Sequence, residues 1–133
     1  MNIQDIEGIG AKYAEKFKGA DVQTTDDLLK KGGSAKGRAA LAAATDLTEN
    51  QILEWVNRAD LYRIKGIGSE YADLLEASGV DTVAELGQRK AENLFEKLKM
   101  VNGEKKKVRD LPNVEQVEKW IEQAKSLPRA VEY

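Results

Sequence analysis

Apolar residues along the chain recur at helical rather than strand spacing. Ile52, Trp55, Val56 and Ala59 stand at i, i+3, i+4 and i+7, and Val117, Trp120, Ile121 and Ala124 repeat that order. Such spacing lines one face of a helix. Thr48 and Asn113 precede these stretches at N-cap positions, where a short side chain can accept a bond from an otherwise unpaired helix amide. Thr24 precedes Asp26 and Asp27, Thr82 lies three residues before Glu85 in the arrangement of a capping box, and Ser34 can cap a helix through Ala44. No segment sustains the period-two alternation of a half-buried strand, so no sheet is predicted. The fold class is all-α, with roughly eight to ten short helices and an extended segment over residues 127–133.

The pattern occurs twice. Ile6, Gly8, Ile9, Gly10, Tyr13 and Ala14 recur 58 residues later as Ile64, Gly66, Ile67, Gly68, Tyr71 and Ala72, and the register continues through Val22/Val80, Thr24/Thr82 and Leu28/Leu86. The later halves match at an offset of 65, through Gln51/Gln116, Trp55/Trp120 and Ala59/Ala124. The second copy therefore carries seven extra residues, placed within residues 102–113. Two related units are predicted, residues 1–63 and 64–133. They are read as one pseudo-symmetric domain, because a unit of ~60 residues has a marginal core by itself.

Each unit opens on apolar-X-Gly-Ile-Gly followed at once by a helical pattern. The first Gly permits a positive φ, the Ile can anchor the turn in the core, and the second Gly permits close approach to the backbone. Amides at the start of a helix face outward where the helix dipole favours an anion. That geometry can hold a phosphate with no basic side chain.

Residues 6–29 and 64–86 resemble helix-hairpin-helix motifs. Residues 79–86 resemble the helix that follows such hairpins in DNA repair proteins and in the C-terminal domains of the alpha chains of bacterial polymerases. Over nearly its full length the chain is similar to a bacterial family described as a domain of unknown function, family 4332. That match is carried by Gly37-Arg38, residues 52–57, Ala59-Asp60-Leu61 and residues 66–71, 79–86 and 120–133. The resemblance implies a tandem helix-hairpin-helix fold in which hairpin amides contact consecutive backbone phosphates without sequence preference. By position, the residues so implied are Gly8, Ile9, Gly10 and Lys12, then Gly66, Ile67 and Gly68. The second copy departs from the pattern, since Glu70 stands where Lys12 stands in the first. Asp5 and Glu7 precede the first hairpin and repel a phosphate, while Arg63 and Lys65 can compensate at the second.

Composition narrows the chemistry. The 133 residues contain no Cys and no His, and 21 Lys plus Arg stand against 23 Asp plus Glu. Disulfide frameworks, Cys/His zinc sites, Cys–His nucleophiles and Ser–His–Asp triads are excluded. A sequence pI near 5.3 argues against binding nucleic acid through bulk positive charge. The positive charge is nevertheless clustered. Residues 30–38 hold Lys30, Lys31, Lys36 and Arg38 with no acid, and residues 97–109 hold Lys97, Lys99, Lys105, Lys106, Lys107 and Arg109 against Glu104 alone. Either cluster reads as a solvated helix end or as a phosphate contact. Gly32-Gly33-Ser34 lacks the spacing of a nucleotide phosphate loop. Trp55 and Trp120 read as core residues, Tyr13 and Tyr71 as packing behind the hairpins, and Tyr62 as exposed beside Arg63.

These features predict a non-catalytic module with no cofactor and no metal site. No signal peptide or membrane span is read, and a cytoplasmic setting is expected. Its nominal ligand is the DNA or RNA backbone, bound weakly and salt-dependently through Gly8, Ile9, Gly10, Lys12, Lys65, Gly66, Ile67, Gly68, Lys105, Lys106, Lys107 and Arg109. The alternative is an adaptor that docks another protein or a second copy and binds no nucleic acid.

Overall fold

In the computed structural model, which describes residues 1–6 and 8–133, the helical periodicity is realised as eight α-helices with no β-strand among the described residues. A 3-10 turn, Ile3–Asp5, precedes α1 (Ala11–Gly19), α2 (Thr25–Gly32), α3 (Ala35–Thr45) and α4 (Glu49–Leu61). There follow α5 (Ser69–Ala77), α6 (Val83–Gly87), α7 (Ala91–Lys105) and α8 (Val114–Ser126). The only pairing of β type among the described residues is an isolated antiparallel bridge between Asn2 and Thr24. No helix of the described residues is long and apolar enough to cross a membrane. The chain divides into two compact units, Met1–Asp60 with Ala130–Tyr133, and Leu61–Arg129.

Helix starts follow the capping residues. Thr24 Oγ1 accepts the Asp27 amide at 3.1 Å while the Asp27 carboxylate accepts the Thr24 amide, a reciprocal capping box. Asn113 and Gln116 form a second such box. Ser34, Thr48 and Thr82 each accept the amide three residues on. Three helices lack this device: α1 is preceded by Gly10, α5 by Gly68 and α7 by Lys90, none with a side-chain cap.

In the first unit, Phe17 of α1, Leu28 of α2 and Ile52 and Val56 of α4 are fully buried. Trp55 packs edge-on to Phe17 and tilted against Tyr13, with centroids 5.7 and 5.4 Å away. The glycines at the end of α2 and the start of α3 answer to packing. A Cβ on Gly32 would stand 2.7 Å from Val56 Cγ2, and one on Gly37 would run into the Lys31 carbonyl. That crowding accounts for the glycine-rich run without any phosphate. Arg38, expected on a basic surface, is buried instead, its guanidinium donating to the carbonyls of Gly32 and Gly33 at 2.9 Å. It follows α2 closely enough in sequence to reach back and satisfy carbonyls at that helix's C-terminal end.

In the second unit, α8 packs on α6 and α7, and α7 packs on α5. Leu74, Leu75, Leu86, Leu94, Leu98 and Trp120 are buried in one apolar cluster. The added length is shared between helix and loop: α7 runs 15 residues where α3 runs 11, and residues 106–113 link it to α8 where residues 46–48 link α3 to α4. Asn102 turns the chain at the end of α7, its side chain accepting the Val108 amide at 3.0 Å and donating to the Val108 carbonyl at 3.2 Å. Lys106 takes a left-handed φ of 49° there. Residues 128–133 carry no regular secondary structure, as the sequence predicts.

Candidate nucleic-acid interface

The two Gly-Ile-Gly segments adopt matching conformations, each within its own unit. Gly8 has φ +94° and Gly66 φ +96°, a region that L residues enter only under strain. Ile9 and Ile67 are 3% and 4% exposed, so their side chains anchor the turns from within. Their amides bond back to Ile6 and Ile64 at 3.1 and 3.2 Å. The second glycines then lead into the helices in ordinary extended geometry, Gly10 at φ −88° and Gly68 at φ −101°. The first intrahelical bonds run from Ala14 to Gly10 and from Ala72 to Gly68. The amides of residues 11–13 and 69–71 therefore precede them at the positive end of each helix.

The four glycines differ in what requires them. A Cβ on Gly8 would stand 3.3 Å from Trp55 Nε1, and one on Gly66 3.2 Å from Trp120 Nε1. Positive φ and the indole beneath both demand glycine at these positions. A Cβ on Gly10 or Gly68 would meet nothing within 4 Å. At these two positions neither conformation nor packing within the described residues requires glycine. The tyrosines lie behind the turns as predicted, with the Tyr71 ring tilted at 56° against Trp120 and the centroids 5.2 Å apart.

The side chains around the turns differ between units. Lys12 is exposed at the second position of α1, and Glu70 is exposed at the second position of α5. Asp5 lies in the 3-10 turn before the first hairpin; Glu7, the other acid read there, falls outside the described residues. At the second hairpin, Lys65 is exposed, and its backbone is taken up by Gln123, whose Oε1 accepts the Lys65 amide at 2.9 Å. Tyr62, expected to be exposed, is half-buried against the core with its hydroxyl 3.1 Å from Ser69 Oγ.

Through Lys107 and Asp110, the segment after α7 is brought to the helix that the second hairpin opens. Lys107 pairs with Asp73 of α5 at 3.2 Å, and the Tyr71 hydroxyl donates to the Asp110 carbonyl at 3.0 Å. Lys105, Lys106 and Arg109 are exposed, Val108 is buried between them, and Lys107 is half-buried. Gly66, Ile67, Gly68 and residues 105–109 thus belong to one unit and share α5, while Gly8, Ile9, Gly10 and Lys12 belong to the other. Among the described residues no three acidic side chains gather in a way that could hold a metal ion.

Of the residues that position this surface, Tyr71 belongs to the repeat, whereas Gln123, Asn102 and Asp73 carry no motif. Asp73 could have been suspected from its helical spacing after Gly68. Gln123 could not, because the offset of 65 places Arg58 at its counterpart. No curated protein and no solved structure matches the chain. The family model described as Domain of unknown function (DUF4332) matches residues 7–127, and the chain belongs to that family.

Proposed function

We propose that the chain is a non-catalytic, cytoplasmic helix-hairpin-helix module that binds the backbone of DNA or RNA through the amides following Gly10 and Gly68. The observation that carries this reading is the unneeded glycine. Both positions have room for a side chain and a backbone conformation that any residue adopts. Capping side chains, which five other helices use, are missing from both, and unlike α7, which starts after Lys90, both start after glycine. A glycine in place of a capping side chain before the positive end of a helix lets an external anion come within hydrogen-bond distance.

The placement of Lys12 supports the same reading. A cation at the start of a helix opposes the helix dipole and weakens the helix by about 0.3–1 kcal/mol, yet it recruits a phosphate. In the second unit that role passes to Lys65, Lys105, Lys106 and Arg109. Binding is weak, because Glu70 and the pairing of Lys107 with Asp73 remove positive potential near the second hairpin.

Fluorescence polarisation of labelled duplex and single-stranded DNA across a salt series tests the proposal. The affinity should fall steeply with salt. Replacing Lys105, Lys106 and Arg109 with Ser should lower the slope of log affinity against log salt by up to about 3 for duplex. Absence of any polarisation change at low salt overturns the reading. The exposed Glu70 carboxylate beside the second hairpin favours the other candidate, an adaptor docking a second protein, and that reading gains if nucleic acid does not bind.

A further inference from the structure

Residues 130–133 leave the unit that precedes them in sequence and seat on the first unit. The seat is built for extended backbone. The Glu132 amide donates to the Gly33 carbonyl at 2.7 Å, and the Glu132 carbonyl accepts from Arg38 Nη2 at 2.6 Å. Both polar groups of one residue's backbone are read, as a neighbouring strand would read them. Arg38 is 5% exposed and is held in place by the carbonyls of Gly32 and Gly33, so its fork is preorganised whether or not the segment is present. Val131 is 2% exposed. Gly33 is committed to this contact, because a Cβ there would run into the Ala130 carbonyl. Tyr133 borders an open cleft of about 230 Å³ with Leu53, Glu49 and Asn50.

We infer that Gly33 and Arg38 form a receptor for an extended peptide carrying a small apolar residue two positions before an aromatic one, and that its occupant in trans is residues 130–133 of a second copy of this chain. Three observations favour that occupant. The backbone bonds ask for an extended segment, and the buried position two residues before Tyr133 is filled by an apolar side chain, Val131, both of which a second copy supplies. The segment lies outside every helix and leaves α8 through Leu127 at φ −92° and ψ 141°, already extended, so exchange requires no helix to unfold. Exchange of an identical element between protomers replaces each lost contact with the same contact. The receptor is independent of the hairpin turns and does not rest on the nucleic-acid reading.

The test uses the full chain and a fluorescein-labelled peptide of residues 127–133. Glu132→Pro removes the amide that Gly33 accepts, loosens the chain's own segment, and leaves Gly33 and Arg38 unchanged. The Glu132→Pro chain should bind the peptide roughly tenfold or more tightly than the wild type, whose tethered segment competes at an effective concentration of about 1 mM. A peptide carrying the same proline should not bind. If the Glu132→Pro chain keeps its helical circular dichroism and shows no polarisation rise up to about 1 mM protein, the proposal is overturned. If that variant does not fold, light scattering of the wild type refolded at high concentration decides: a dimer supports exchange, and a monomer throughout overturns it.

Discussion

Replacing Gly66 with Ala and, separately, Gly68 with Ala places the same methyl group two residues apart and should give opposite results. At Gly66 the alanine must hold φ +96°, which costs about 1–2 kcal/mol. Its Cβ also stands 3.2 Å from Trp120 Nε1. The indole is 3% exposed and packed at a tilt against Tyr71, so moving it by a few tenths of an ångström costs about 1 kcal/mol more. A less flexible unfolded chain returns about 0.4–1 kcal/mol. The net loss is about 2 kcal/mol, or roughly 1 M in urea midpoint at an ordinary denaturant slope. At Gly68 the φ of −101° suits any residue and the Cβ meets nothing. The unfolded-state gain there offsets the poorer N-cap quality of Ala, leaving stability within about 0.5 kcal/mol of wild type. Urea unfolding followed by far-ultraviolet circular dichroism reads both. Equal destabilisation by the two changes would refute the division of labour between the glycines. The double change Gly10→Ala with Gly68→Ala should keep the fold and weaken DNA binding by roughly tenfold, about 1.4 kcal/mol. Unchanged binding in that folded protein would refute phosphate contact at these amides.

Lys12→Glu should stabilise the first unit by up to about 1 kcal/mol by reversing the sign of the charge at the start of α1, while weakening DNA binding; Glu70→Lys should do the reverse in the second unit. Paired thermal melts and polarisation titrations check both, and parallel movement of stability and binding would contradict the dipole argument. The Asp27 carboxyl is held below its ordinary value, first by the Gln23 amide, which outweighs the opposing desolvation, and then by the amide and hydroxyl of Thr24 and the charge of Lys30. Its contribution is therefore fully present above the unfolded value of about 3.9 and is lost as pH falls through the lower folded one. Asp27→Asn should be less stable than wild type at neutral pH, and the gap should begin to close as pH falls below the unfolded value of about 3.9 and narrow further as the folded carboxyl titrates, as read from urea midpoints across an acid series.

Much of the local structure was legible in the order of residues. Thr24, Ser34, Thr48, Thr82 and Asn113 begin helices because capping needs only a short acceptor and the amide three residues on. Trp55 and Trp120 are buried because each falls on the apolar stripe of its helix. The positive φ of Gly8 and Gly66 was readable from Gly-Ile-Gly placed before a helix. By contrast, Arg38 looked like a surface cation among lysines and Tyr62 like an exposed aromatic. Both are held by partners that spacing does not announce: for Arg38, carbonyls at the end of α2 and in a segment 94 residues away; for Tyr62, the hydroxyl of Ser69.

By itself, the sequence determined the helical class, the twofold recurrence, the helix starts and the turns that need glycine, all of which depend on interactions within a few residues. Only tertiary structure decided which glycines are unconstrained, which lysine meets Asp73, and where residues 130–133 lie. Those outcomes depend on what stands within a few ångströms in space: an indole under Gly66, open solvent beside Gly68, and the Gly33 carbonyl facing Glu132. Periodicity can assign a residue to the inside or the outside of its own helix. It carries no information about which distant backbone group will face that residue once the helices pack.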